Sequence, residues 1–250
     1  RFCGAPEIRN ARRILLWLSG IYMAGCAFRS FLPMVDIPRM CLHDTVISRI
    51  AVGRSVATVA ELCFVAQWAL LLREAGAALH SRGALRIAGT LVPLIVVAEA
   101  SSWLAVLTVD NFFHAVENSL WTVAAALATG GCLLMRTNAD AAGRRFLDAA
   151  IVCGVLYISF MVAVDVPMYV SRWLDDSAAG RRFLSVAEGL HEVAQRCTVV
   201  RAWSAWREDA TWLTLYFTVA VWLSILLAHA PAFVRAPTGG ESATAAPDIA

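Results

Sequence analysis

The chain has no lysine and few charged residues of any kind. All 21 of its basic residues are arginines, and charged residues make up only 16% of its 250 positions. Without lysine the chain has no Schiff base to retinal or pyridoxal phosphate, and no phosphate-binding loop of the Walker type. A soluble domain of ordinary composition carries about 25% charged residues. The chain is therefore too poor in charge to be an ordinary soluble protein.

Several other familiar signatures are missing as well. The seven cysteines are scattered without the C-x-x-C spacing of zinc ribbons, thioredoxin-like redox sites or c-type haem attachment. Neither a G-x-S-x-G elbow nor an H-E-x-x-H pair occurs in the sequence. The net charge is only +2, and no run of basic residues with interleaved aromatics is present. Nucleic acid is accordingly excluded as a partner.

Long apolar stretches are what the chain does contain, since 59% of its residues are hydrophobic. Lipid covers apolar side chains directly, provided that helices satisfy the backbone polar groups internally. Crossing a hydrocarbon core of about 30 Å takes roughly 20 helical residues. The sequence therefore predicts an all-α, multi-pass integral membrane protein with about six transmembrane helices. The predicted spans are residues 14–32, 46–72, 87–109, 119–135, 146–170 and 212–230.

The arginines give this predicted bundle a direction. They cluster before the first span and in the connections after the second and the fourth, whereas the connection after the third has none. Because short cytoplasmic connections are enriched in arginine, we expect both termini on the cytoplasmic side. Residues 1–230 then form a single bundle in a membrane that the sequence does not specify. Residues 231–250, rich in Pro, Ala, Gly, Ser and Thr, are predicted to be a disordered tail.

The long outer connection, residues 171–210, is predicted to contain an amphipathic helix over the outer mouth of the bundle. Ser185 and Glu188 have the spacing of a capping box, in which each side chain satisfies an open amide at a helix start. Polar residues then follow on one side of the predicted helix and apolar residues on the other. Cys41 and Cys197 are the two cysteines on the predicted outer side, so a single disulfide between them is compatible with an oxidising compartment.

Charged residues inside the predicted spans are the most informative, because each is costly in lipid unless it is paired or hydrated. Arg54 and Glu61 lie on one face of the second span, with Arg49 nearer the outer end. Arg54 and Glu99 fall at matching depths of adjacent antiparallel helices, which predicts an ion pair between them. That pair is either part of a substrate-binding site or a structural clasp. Glu61 has no predicted partner at its depth.

A second set of ionisable residues gathers at the predicted outer ends of the spans. Two pairs with i, i+3 spacing, His114 with Glu117 and Glu188 with His191, have the arrangement that lets one helix offer two ligands to one ion. Together with His43 they are candidate ligands of a divalent metal, the one cofactor that the sequence suggests. Helix-end capping and interfacial ion pairs are the alternative interpretation.

Asp165 stands in an otherwise apolar span, two residues before Pro167. Proline removes a backbone donor and leaves the carbonyl of Ala163 without its helical partner, so we expect a local kink beside the carboxylate. Kinks of this kind often line cavities. The alternative is that Asp165 simply pairs with Arg49 or Arg172.

Three classes of function remain open. The outer position of most ionisable residues favours a membrane-embedded enzyme acting on a lipid or other hydrophobic substrate, with Asp165, Glu117 and Glu61 as candidate catalytic groups and a metal as a further option. A non-catalytic structural or assembly subunit of a larger membrane complex is the second class. A proton-coupled transporter with Arg54, Glu61 and Glu99 as its relay is the third. The expected partners are the lipid bilayer and, in the second class, other membrane subunits.

Overall fold

The computed structural model describes residues 6–195 and 197–233. The protein is 80% helical and all-α, apart from a small sheet of three two-residue strands. Within the predicted tail, Phe233 packs edge-on against Phe146, with ring centroids 5.9 Å apart. Residues 234–250 of that tail lie outside the described residues.

The helices and strands follow one another with short connections. The helices are α1 Pro6–Phe31, α2 Ile50–Ala78, α3 Arg82–Thr108, α4 Asn111–Arg136, α5 Ala141–Phe160, α6 Val166–Ala178, α7 Val186–Val193, α8 Trp203–Leu215 and α9 Val221–Ala228. Two π-helical segments, Met161–Asp165 and Tyr216–Ala220, join α5 to α6 and α8 to α9, and a 3₁₀ turn, Val46–Ser48, precedes α2. The strands are β1 Met34–Val35, β2 Met40–Cys41 and β3 Thr198–Val199.

Five helices in the described part of the chain are long and apolar enough to cross a membrane. These are Asn10–Phe31, Ile50–Ala78, Arg82–Thr108, Asn111–Arg136 and Ala141–Ala178. The predicted all-α protein with membrane-spanning helices is confirmed to that extent. The sixth predicted span, 212–230, falls on α8, its π segment and α9, of which only Phe217–Ala228 is an apolar run. A sixth crossing and the sidedness of the bundle stay predictions.

Helices α3, α4 and α5 each begin with a side-chain cap. Ser81, Asp110 and Asp140 each stand just before a helix and accept a hydrogen bond from an amide of its first turn, at Ala84, Phe112 and Gly143 respectively. Consecutive helices α1 to α5 pack side by side, and α9 returns to pack against α1 and α2. Asp110 also starts α4 eight residues before the predicted fourth span. The apolar criterion missed these first two turns because they carry polar side chains.

The predicted disruption near Pro167 takes the form of a π-helical segment. The wider π turn covers Met161–Asp165, and α6 begins at the next residue, Val166. A proline cannot donate to the preceding turn, and an inserted residue is one way in which a helix accommodates the lost hydrogen bond. The segment leaves Asp165 at the junction of two long helical pieces.

One end of the bundle is closed by the small sheet. Strand β1 pairs antiparallel with β2, and β2 pairs parallel with β3. A disulfide joins Cys41 of β2 to Cys197 beside β3, which is the pairing that the sequence left possible. We call this the disulfide end; helix α7 lies there against α3.

Helix α7 confirms the predicted capping box, with both reciprocal hydrogen bonds between Ser185 and Glu188 present. The helix is shorter than the amphipathic pattern suggested, since it ends at Val193. Its close approach to α3 depends on Gly189, where an added Cβ would lie 2.1 Å from the carbonyl oxygen of Leu107.

A buried polar group ties α9 to the opposite end of the bundle. The Ser224 hydroxyl lies 3.0 Å from both Ser19 Oγ and Gln67 Oε1. Gln67 Nε2 in turn donates to the carbonyl oxygen of Leu15 at 3.3 Å. These contacts satisfy polar atoms that would otherwise be stranded in an apolar interior.

The close packing of α7 on α3 is tested by Gly189→Ala. We expect it to lower the free energy of unfolding by about 1–3 kcal/mol, because a backbone carbonyl occupies the space of the new methyl group. Thermal unfolding in a mild detergent measures the change. Gly130→Ala in α4 is the matched control, since nothing lies within 4 Å of a Cβ there and alanine favours the helix. Equal stability of the two variants would contradict the close packing.

Candidate functional site

The centre of the site is the guanidinium of Arg54, which is only 4% exposed. Arg54 Nη2 lies 2.6 Å from Glu99 Oε2, so the predicted ion pair between α2 and α3 is confirmed. Thr58, one turn after Arg54, donates its hydroxyl to the same Glu99 oxygen at 2.7 Å. Trp103 Nε1 donates to the Thr58 hydroxyl at 3.1 Å. The carboxylate of Glu99 is thus held by two side chains of α2, one of which is itself held by α3.

Two further glutamates share the same guanidinium nitrogen. Glu61 Oε2 and Glu117 Oε1 each lie 3.5 Å from Arg54 Nη2. The expectation that Glu61 has no partner is therefore wrong, because α2 brings it back to Arg54 two turns later. Glu117 joins from α4, because Asp110 starts that helix early enough to place residue 117 about 9 Å along the helix axis from its first residue.

His114 forms a dyad with Glu117 on α4. His114 Nδ1 lies 2.8 Å from Glu117 Oε2, and both side chains are buried. The imidazole also packs on the ring of Tyr169 from α6, with centroids 5.1 Å apart. The predicted i, i+3 pairing on one helix is therefore realised, and Glu117 contacts Arg54 with one oxygen and His114 with the other.

A cavity of about 240 Å³ lies beside these groups. Its wall is built from α1, the β1–β2 turn, α2, α4, the α5–α6 junction and α8. Apolar side chains such as Met34, Phe160 and Leu213 form part of it. We call it the acidic cavity; its ionisable residues and tyrosines are Arg29, Asp36, Arg54, Glu61, His114, Glu117, Tyr157, Asp165, Tyr169, Arg172 and Asp209.

Asp165 lines the acidic cavity from the end of the π segment and is half-buried. The alternative in which it pairs with an arginine is wrong. Arg172 lies 3.6 Å from Asp209 instead, and Arg49 stands as the half-buried residue that precedes α2. Among the described residues Asp165 has no ion-pair partner.

The other predicted metal ligands lie on exposed surface at the disulfide end. His43 is exposed before the 3₁₀ turn. Hydrogen bonds from the backbone amide and hydroxyl of Ser185, with the nearby charge of Arg182, lower the pKa of Glu188. His191 Nδ1 lies 3.1 Å from Gln195 Nε2. Of the predicted set, the structure brings His114 and Glu117 together at the cavity.

Glu61, Glu99 and Glu117 form the donor set that best fits a metal in the described residues, with one ligand atom from each within 4.8 Å of the others. Arg54 Nη2, however, lies within 3.5 Å of an oxygen of each. The guanidinium therefore takes the central place that a cation would take. A metal bound by all three glutamates requires Arg54 to move away.

Sequence reasoning missed two carboxylates of the cavity wall. Asp36 reaches it from the tight β1–β2 turn, and Asp209 reaches it from α8. Neither is adjacent in sequence to another ionisable residue of the cavity, and neither lies in a spacing that signals a site. Only the folding of the turn and of α8 onto the bundle gathers them.

No protein-family model, curated protein or solved structure matches this chain. The function is accordingly argued from the site itself.

Arg54 and the three glutamates that contact it, Glu61, Glu99 and Glu117, form a cluster that we call the clasp. The clasp is tested by Glu99→Gln, which removes the charge closest to Arg54. We expect a loss of about 3–5 kcal/mol in unfolding free energy, because a buried guanidinium loses its nearest counter-charge. Denaturant unfolding in detergent or bicelles measures it. Asp148→Asn is the matched control: this exposed carboxylate pairs with Arg136, and such surface pairs contribute about 0–1 kcal/mol. If both variants unfold alike, Glu99 does not stabilise the bundle.

Proposed function

We propose that the protein is a membrane-embedded enzyme that performs acid–base catalysis on the polar end of a lipid or other hydrophobic substrate. The observation that supports this most is the buried His114–Glu117 dyad in the wall of the acidic cavity, with Asp165 in the same wall. A histidine held by a carboxylate and a second carboxyl group without an ion-pair partner are the two groups that general acid–base catalysis requires.

In this proposal Glu117 accepts the Nδ1–H of His114 and so fixes the imidazole tautomer that leaves Nε2 as the base. Nε2 takes a proton from a water molecule or substrate hydroxyl group in the cavity. Asp165, in its protonated form, gives a proton to the oxygen that carries the developing negative charge. A water molecule then returns the proton from His114 to Asp165, so that both groups end in their starting states.

Arg54 acts in this scheme as a positioning residue. It contacts the Glu117 oxygen that does not contact His114, and so holds the carboxylate of the dyad in place. Burial strengthens these contacts, because little water competes with them. Arg54 occupies the centre of the three glutamates, where a metal ion would otherwise bind. The contacts therefore favour a mechanism without a metal over one with a metal at this point.

The arginine distribution and the disulfide together support the sidedness of the site. If the arginine-rich connections are cytoplasmic, the disulfide end faces the opposite, oxidising side, where a Cys41–Cys197 disulfide persists. Both termini then lie in the cytoplasm, and the acidic cavity is reached from the outer leaflet.

A proton-coupled transporter is the second candidate, and a specific observation favours it. Buried polar residues Arg54, Glu61 and Gln67 continue along α2 from the acidic cavity towards the opposite end of the bundle. There Gln67 contacts Ser224 of α9. If this line carries protons, Glu61→Gln abolishes pH-driven flux in liposomes, whereas an enzyme based on the dyad shows no such flux.

The enzyme proposal is tested in nanodiscs loaded with a total membrane lipid extract. Mass spectrometry of the extract identifies the component that the wild-type protein consumes. We expect His114→Gln and Asp165→Asn each to lower its rate of consumption by about 100-fold or more, the usual contribution of a general acid or base.

Two conservative changes far from the cavity are the controls. His229→Gln and Asp148→Asn alter exposed residues of the end opposite the disulfide end and should leave the rate unchanged. Consumption of no lipid by the wild type, or equal rates for His114→Gln and His229→Gln, would reject the proposal.

A further inference from the structure

The wall of the acidic cavity carries an excess of negative charge. Five carboxylates line it, from Asp36, Glu61, Glu117, Asp165 and Asp209, against the three guanidiniums of Arg29, Arg54 and Arg172. With His114 neutral, the lining has a formal charge of −2. An apolar surrounding screens such an excess poorly, so the cavity favours a positively charged occupant.

Two of the three arginines of the wall already pair with carboxylates. Arg172 pairs with Asp209, and Arg54 with the glutamates of the clasp. The guanidinium of Arg29 lies over the ring of Phe217, 5.8 Å from its centroid. Asp36 and Asp165 are the two aspartates of the wall that form no ion pair with these arginines.

Asp36 gives an observation that is independent of the charge count. Its Oδ1 atom is buried and has no hydrogen-bond partner among the described residues, although the carboxylate lines the cavity. A buried carboxylate oxygen without a donor is costly. A ligand that brings a positive charge or a donor to this point removes that cost.

The neutral part of the wall fits a cationic group attached to an alkyl chain. Tyr157 and Phe160 of α5 line the cavity with aromatic rings, and aromatic faces attract ammonium groups. Met161 and Met168 provide adaptable apolar contacts beside them. About 240 Å³ accommodates a head group but not a whole lipid, whose chains would remain outside in the bilayer.

We infer that the acidic cavity binds the ammonium head group of a membrane-resident amphiphile, with Asp36 and Asp165 as its counter-ions. The inference names the substrate class of the same site and rests on the proposed function only for what happens to the substrate after binding. In its ionised form Asp165 holds the head group near His114. When Asp165 takes up the proton that it gives in the proposed reaction, Asp36 remains as the counter-ion.

Binding is tested with matched twelve-carbon probes on the protein in dodecyl maltoside micelles. The probes are dodecyltrimethylammonium and dodecyl phosphate, and the readout is quenching of tryptophan fluorescence during titration. We expect the ammonium probe to bind at least about ten-fold more tightly than the phosphate probe, because charge complementarity decides between them. Equal or tighter binding of the phosphate probe would overturn the inference.

Variants locate the binding site. Asp165→Asn and Asp36→Asn should each lower the affinity for the ammonium probe by about ten-fold or more. Asp165→Glu and the distant control Asp148→Asn should retain the wild-type affinity. The retained binding of Asp165→Glu separates loss of charge from loss of fold. Unchanged affinity in Asp165→Asn, or displacement of the probe by micromolar Mn²⁺ alone, would contradict an ammonium site.

The two proposals fail in different ways. Selective ammonium binding without consumption of any lipid rejects the enzyme and keeps the binding site. Consumption of a neutral or anionic lipid that depends on His114, without ammonium binding, keeps the enzyme and rejects the inference.

Discussion

A guanidinium in an apolar interior is the constraint on which the rest of this structure depends. Moving a charge out of water is expensive, and the cost is offset only when counter-charges contact it closely. Arg54 meets that condition with carboxylates from three helices, Glu99 of α3, Glu117 of α4 and Glu61 of its own α2. The contacts with Glu99 and Glu117 fix the rotation and depth of α3 and α4 against α2, so the three helices share one register.

Glu117 connects this structural clasp to the chemistry proposed for the site. One of its oxygens contacts Arg54 and the other contacts His114, so the orientation of the imidazole is tied to the packing of the helices. The acidic cavity then opens where the α5–α6 junction and the β1–β2 turn add Asp165 and Asp36 to the wall. The disulfide at Cys41 holds the strand that follows this turn against β3, and in this way supports the placement of Asp36.

The features that sequence predicted are those with a regular period or a local signature. Helical spacing and matched depth in antiparallel neighbours were enough to pair Arg54 with Glu99. The capping box at Ser185 and the pairing of Cys41 with Cys197 followed from local spacing and from sidedness. In each case one or two short-range rules decided the outcome.

The features that sequence did not predict depend on several elements at once. Glu61 was left without a partner, because a counter-charge was expected from a neighbouring helix at its depth, whereas Arg54 lies two turns earlier on α2 itself. Glu117 was assigned to the end of a span, because apolar length placed the start of α4 too late. Asp36 and Asp209 enter the cavity from a turn and from α8, where only tertiary folding brings them together.

The central claim is that Arg54 and its glutamates are held together by mutual charge in the apolar interior of the bundle. A double-mutant cycle of Arg54→Met and Glu99→Leu, measured by reversible unfolding in bicelles, tests it most directly. If the pair is coupled, the double variant loses at least about 1 kcal/mol less stability than the two single variants combined, because it does not leave one member of the pair charged without the other. Glu61 and Glu117 lose Arg54 in both Arg54→Met and the double variant, so that cost cancels in the cycle. Losses that add within about 0.5 kcal/mol would contradict the account.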